Sequence, residues 1–131
     1  MNTLPADFPA QLRSVASAEH YHWVAQCDGW HLVDTLALSV IQERMPPGTA
    51  EQYHYHERAQ QFFYVLRGEA TFDVDGRRLN VVAGAGLHVP PGTPHRILNL
   101  TSDELHFTVT SQPKAHGDRV LVAANSALSN E

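Results

Sequence analysis

The chain of 131 residues has a single cysteine, Cys27. An intrachain disulfide is thereby excluded, and the composition fits a reducing compartment. With no catalytic partner indicated, Cys27 is expected to be a half-buried small residue. No 18 apolar residues run together, so no membrane-spanning helix is expected. The N-terminal stretch MNTLPADFPAQLRSV carries Asp7, Pro5 and Pro9 and lacks an apolar run of signal-peptide length. A cytoplasmic protein is the expectation. Basic residues are few, nine against fourteen acidic ones for a net charge of -5, and they are scattered. That argues against a nucleic-acid footprint and against attraction to anionic membranes. Apolar content of 43% with 18% charged residues is ordinary for a folded chain. The length suits one domain that buries about two-thirds of its unfolded surface.

Helical periodicity is also missing, and short strand patterns take its place. LVDTLALSVIQ, residues 32–42, reads as one strand that ends at Met45-Pro46-Pro47-Gly48, where proline cannot donate to a ladder and glycine admits a turn. QFFYVLR, residues 61–67, is a second strand, closed by Gly68. In ATFDVDGRRLNV, Asp75-Gly76 suits a two-residue hairpin turn. That turn sets Val74 against Arg77, Asp73 against Arg78, Phe72 against Leu79, Thr71 against Asn80 and Ala70 against Val81. Apolar then meets apolar and opposite charges meet, as a correct register should produce. Further strands are predicted at 86–90, 95–100 and 104–112. Such a series of short strands with Gly and Pro turns indicates an all-β barrel or sandwich. Residues 1–30 read as an N-terminal arm without clear periodicity, 31–113 as the barrel core, and 114–131 as a tail with weak element signals.

Nine histidines are many for this length, and they raise the prospect of metal chemistry or pH sensitivity. His54 and His56 lie one residue apart in an extended segment, so both imidazoles point the same way and can reach one ion. Gln61 is in phase with Phe63 and Val65 and can face the same interior. His95 follows PPGTP, in which Pro91-Gly92 suits the centre of a type II turn, and can arrive as a third histidine. Two roles stay open for Gln61: direct ligation, or orientation of a water beside three histidines. The alternative for the histidines is a set of polar barrel residues that bind no ion. Glu51 and Glu57 are expected to be solvated loop residues. His20 and His22 repeat the His-x-His spacing without a distant partner and read as surface or interface residues. His106, alternating with Thr108 and Thr110, is the candidate acid or base if that face meets a pocket, and otherwise faces solvent.

These residues resemble the two motifs of the cupin superfamily, as found in small single-domain bacterial cupins. The first is carried by Gly48, His54, His56, Gln61 and Gly68, with glutamine where the family has an acid. The second is carried by Gly84, Pro90, Gly92, His95 and Asn99, with 15 residues between Gly68 and Gly84. The resemblance implies a double-stranded β-helix (jelly-roll) barrel, one divalent transition metal ion inside it, a small-molecule substrate or ligand, and often a homodimer. For the dimer the sequence itself offers an aromatic N-terminal arm that could pack across a partner. The expected ligands are His54, His56, Gln61 and His95. A neutral amide in place of a carboxylate leaves a divalent ion at full charge, which weakens affinity for harder ions and strengthens Lewis acidity. Fe, Ni, Mn, Zn, Co and Cu all remain open. The implied function is a metal-dependent enzyme of dioxygenase type. A metal-dependent isomerase or cyclase is a second reading, and a non-catalytic binding or sensing module a third.

Overall fold

The computed structural model describes residues 8–123. Eleven strands and no helix occur among them. In chain order they are β1 (Glu19–Trp23), β2 (Cys27–Asp34), β3 (Ser39–Met45), β4 (His54–His56), β5 (Gln60–Arg67), β6 (Glu69–Val74), β7 (Arg77–Val82), β8 (Gly86–Val89), β9 (His95–Leu98), β10 (Leu105–Gln112) and β11 (Arg119–Leu121). They form two antiparallel sheets. One has six strands in the order β1-β2-β3-β10-β5-β8, and the other five in the order β11-β4-β9-β6-β7. This is the double-stranded β-helix expected from the sequence. Alternation explains the packing. In β5, Gln61, Phe63 and Val65 point inward, whereas Phe62, Tyr64 and Leu66 point out. The core between the sheets is built on Met45, Phe63, Val65, Phe72, Ile97 and Phe107.

The hairpin β6–β7 has the register that its turn demands, from Val74 against Arg77 to Ala70 against Val81. Asp75 and Gly76 both take positive φ, 50° and 83°. Asp73 is fully buried. Its carboxylate accepts hydrogen bonds from Arg78 at 2.7 Å and from Arg96 of β9 at 2.8 Å, so the hairpin is bonded to the strand that carries His95.

Two expectations need correction. Residues 32–42 are not one strand: β2 and β3 meet at a tight turn over 35–38. The Thr35 hydroxyl accepts from the Leu38 amide at 3.0 Å and donates to the Leu38 carbonyl at 2.9 Å. A threonine side chain does there what glycine or proline does elsewhere, so the usual markers are missing. Cys27 is fully buried in the core rather than half-buried. The N-terminal arm, read as lacking clear periodicity, contains β1 and the start of β2, which extend the six-stranded sheet. In the C-terminal tail, β11 pairs with β4, with Arg119 opposite His56 and Leu121 opposite His54. Residues 1–7 and 124–131, the latter most of the expected tail's far end, lie outside the described region.

Candidate metal centre and its cavity

His54 and His56 are the two ends of β4, and His95 opens β9 directly opposite His54. Two turns make this possible. Pro91 and Gly92 reverse the chain ahead of β9, with Gly92 at φ 77°, and the Gly92 amide donates to the His56 carbonyl at 2.7 Å. The turns of the two histidine-bearing segments are therefore joined. Asn99 locks the far end of β9. Fully buried, it donates from its side chain to the carbonyls of Met45 and Asp103 at 2.9 and 2.8 Å. Its backbone exchanges hydrogen bonds with Gly48 and Thr49.

All three imidazoles are buried, and each offers a nitrogen within 4.8 Å of the others. His54 Nδ1 donates to the Gln52 carbonyl at 2.7 Å, and His95 Nδ1 to the Thr93 carbonyl at 2.9 Å. A carbonyl can only accept, so these contacts place the proton on Nδ1 and leave Nε2 with a free lone pair. Gln61, drawn from β5 in the opposite sheet, donates its amide to Ser111 Oγ at 3.0 Å and turns Oε1 toward His95 Nε2 at 3.1 Å. Two electron-rich atoms thus face each other across a short gap. His56 Nδ1 is buried with no partner. Lone pairs gathered among buried side chains, with one buried nitrogen unsatisfied, are the donor set that a borderline divalent cation accepts. His54, His56 and His95 could hold such an ion, with Gln61 Oε1 beside them.

Burial is also the largest cause that pushes all three histidines down to about 4. For His56 and His95 their neighbouring imidazoles add to it. The rings are therefore neutral at physiological pH, as ligation requires.

The site opens on a cavity of about 520 Å³ between the sheets. His54, His56 and Gln61 line it together with Phe63 and Val109. The structure also places two carboxylates there. Glu51, expected as a solvated loop residue, is tucked under β9. Its Oε1 accepts from the Ile97 amide at 3.3 Å, and its Oε2 lies 4.0 Å from His54 Nε2. Its backbone is the reason: the Glu51 amide bonds the Ile97 carbonyl and so holds the segment against β9. Glu43 of β3 also lines the cavity and was not singled out by spacing. The available signal was its phase, since it alternates in step with Ile41 and Met45, on the inward side of its strand. Glu57 is exposed, as expected for a loop residue.

His106 is not among the residues around the cavity. It lies opposite Arg44 and Arg67 and sits 3.1 Å from Glu104 Oε1. His20 and His22 lie on exposed β1. Both approach Asp28 Oδ1, at 2.7 and 3.3 Å, and Arg44 occupies the other oxygen of that carboxylate at 2.7 Å.

Comparison with known proteins agrees with this architecture. The chain is 41% identical over 90 residues to the oxidoreductase MacE of Penicillium terrestre, covering 66% of this chain and 35% of that one. It is 38% identical over 56 residues to quercetin 2,3-dioxygenase of Bacillus subtilis, covering 43% and 17% respectively. The polyketide cyclase RemF of Streptomyces resistomycificus superposes with a TM-score of 0.75 at 16% identity, over 90% of this chain and 89% of that one. The chain spans about half the length of other curated relatives that it matches, between 46% and 60%. The family model described as Cupin domain matches residues 41–111, more than half of the sequence. Both histidine segments and the whole of β4 through β9 fall inside that match, and the chain belongs to the cupin family.

Proposed function

We propose that the protein is a metal-dependent enzyme that acts on a small organic molecule held between its two sheets, with oxygen-using chemistry of dioxygenase type. One observation carries the reading. Three buried neutral imidazoles, two with Nδ1 committed to backbone carbonyls, converge beside a cavity large enough for a metabolite. His54, His56 and His95 would hold the ion, and Gln61, oriented by Ser111, would complete the set. When bound, a divalent Fe, Ni or Mn supplies Lewis acidity and a redox route to O2. The remaining work falls to the chain. Phe63, Ile41 and Val109 give the cavity an apolar wall that excludes water from a flat organic molecule. Asp34 and Lys114, joined by an ion pair, stand at its lining. The names of two relatives, a quercetin 2,3-dioxygenase and an oxidoreductase, point toward the same class of chemistry.

A second reading is an isomerase or cyclase in which the ion polarises a carbonyl without changing oxidation state. The carboxylates of Glu43 and Glu51 in the cavity favour it, because such chemistry needs a proton carrier near the substrate. Oxygen uptake by protein loaded in turn with Fe, Ni, Mn and Zn, across enols, flavonols and thiols, separates the two. Uptake with Fe, Ni or Mn and none with Zn is expected. Turnover with Zn and no uptake moves the assignment to the second reading, and silence in all cases removes both.

A further inference from the structure

Five residues form one straight row across the inner face of the larger sheet: Tyr21, Gly29, Glu43, Phe107 and Val65 on β1, β2, β3, β10 and β5. Residues in register on adjacent strands point the same way, so this row faces the interior. At its second place there is no side chain. A Cβ added to Gly29 would stand 2.3 Å from Tyr21 Cζ, which means that the Tyr21 ring lies over the gap that glycine leaves. Across that gap the Tyr21 hydroxyl donates to Glu43 Oε2 at 3.0 Å. His31 flanks the ring, with centroids 4.9 Å apart. Tyr21, Glu43 and His31 all line the cavity that holds the histidine cluster.

We propose that Glu43 is the proton donor to the molecule bound in this cavity, and that Tyr21, seated on Gly29, is the residue that positions it. This inference rests on the enzymatic reading above and adds the group that moves the proton. As negative charge develops on an oxygen of the bound molecule, the O–H bond of the Glu43 carboxyl breaks and a new O–H bond forms on that oxygen. The carboxylate left behind keeps its hydrogen bond from Tyr21, and solvent returns the proton through the open cavity. The surroundings suit a carboxyl that carries its proton at neutral pH. Burial, then the Glu51 carboxylate, push Glu43 up to about 8, while the Tyr21 hydroxyl and Arg119 pull the other way. The charged and titratable groups facing it are thus Tyr21 from β1, Glu51 from the segment before β4 and Arg119 from β11, with His31 of β2 behind the tyrosine. A general acid works best when its pKa lies near the working pH.

The test uses full-length protein labelled with carboxyl-¹³C glutamate, compared with Glu43→Gln, Tyr21→Phe and Gly29→Ala. The resonance missing from Glu43→Gln is expected to titrate near 8. Tyr21→Phe and Gly29→Ala are both expected to move that midpoint upward, the second without altering either partner. On whichever panel compound is turned over, Glu43→Gln should lower kcat by about 100-fold. KM and bound metal should hold, and Glu43→Asp should restore part of the rate. A Glu43 midpoint in the ordinary carboxylate range overturns the proposal, as does a Glu43→Gln variant with kcat within about threefold of wild type. If no compound is turned over, the enzymatic reading fails by itself. The titration then decides alone whether a proton-bearing Glu43, held by Tyr21, exists in the cavity.

Discussion

Gln61 Oε1 faces His95 Nε2 at 3.1 Å, held there by the hydrogen bond from its own amide to Ser111. The proposed fourth donor is thus aimed by a serine on the neighbouring strand and would contribute no charge. Gln61→Glu keeps the length and adds the charge that the cupin motif ordinarily supplies. It is expected to tighten Mn or Fe binding by roughly tenfold or more, because hard ions gain most from carboxylate oxygen. Ser111→Ala, which frees the amide to rotate, should weaken binding in the opposite direction. Competition against a fluorescent chelator measures both, and equal affinities in all three proteins would detach Gln61 from the site.

The metal-free protein should lose stability in acid through its three buried imidazoles. Each is held at about 4 when folded, against 6.5 when exposed. Between those values the unfolded chain binds more protons than the folded one, so stability falls as pH drops from 6.5 toward 4 and is flat, as far as these groups go, above 6.5. The gap corresponds to roughly 3 kcal/mol for one imidazole titrating alone. Urea unfolding across that window checks it. His95→Gln should flatten the slope, and an unchanged slope would assign the acid sensitivity elsewhere.

Asp118 is the anchor of the loop that follows His56. Asp118 is itself buried, and its carboxylate accepts from the amides of Glu57, Arg58 and Ala59 at 3.1, 2.9 and 2.8 Å. Asp118→Ala leaves three amides without that acceptor, and about 3 kcal/mol of stability should be lost. Metal affinity should fall as well, since the loop sets the position of the second histidine. Thermal unfolding and chelator competition read the two effects separately.

Two glycines with similar backbone angles should respond very differently to alanine. Gly68 and Gly84 both have positive φ, 85° and 87°. An added Cβ at Gly84 meets nothing within 4 Å, but at Gly68 it would sit 2.5 Å from the Glu104 carbonyl oxygen. Gly84→Ala is expected to cost about 1 kcal/mol for the backbone conformation alone. Gly68→Ala should cost several times as much, because backbone of the strand behind must move. Equal losses in denaturant unfolding would show that the β5–β6 turn yields freely.

The parts of this fold that could be read in advance are those that local chemistry dictates. Asp75-Gly76 admits one kind of turn, and the whole β6–β7 register follows from it. The alternation of Gln61, Phe63 and Val65 likewise announced which side of β5 is buried. What escaped was decided at a distance. The turn at 35–38 is held by a threonine hydroxyl, so it left no mark of glycine or proline. Glu51 resembles a loop acid until β9 arrives to pin its backbone. Glu43 looks like an ordinary charge on a strand until Tyr21, 22 positions earlier, reaches across to it.

The strand pairing of β11 with β4 bears on how the protein can be dissected. Residues 41–111 hold every histidine of the cluster, yet Asp118 and β11 lie after that segment, and Tyr21 and Gly29 before it. An excised fragment limited to the family match would keep the clustered histidines while shedding the strand paired behind His54 and His56 and a wall of the chamber they face. The smallest piece worth expressing therefore runs from upstream of Glu19 to past Leu121.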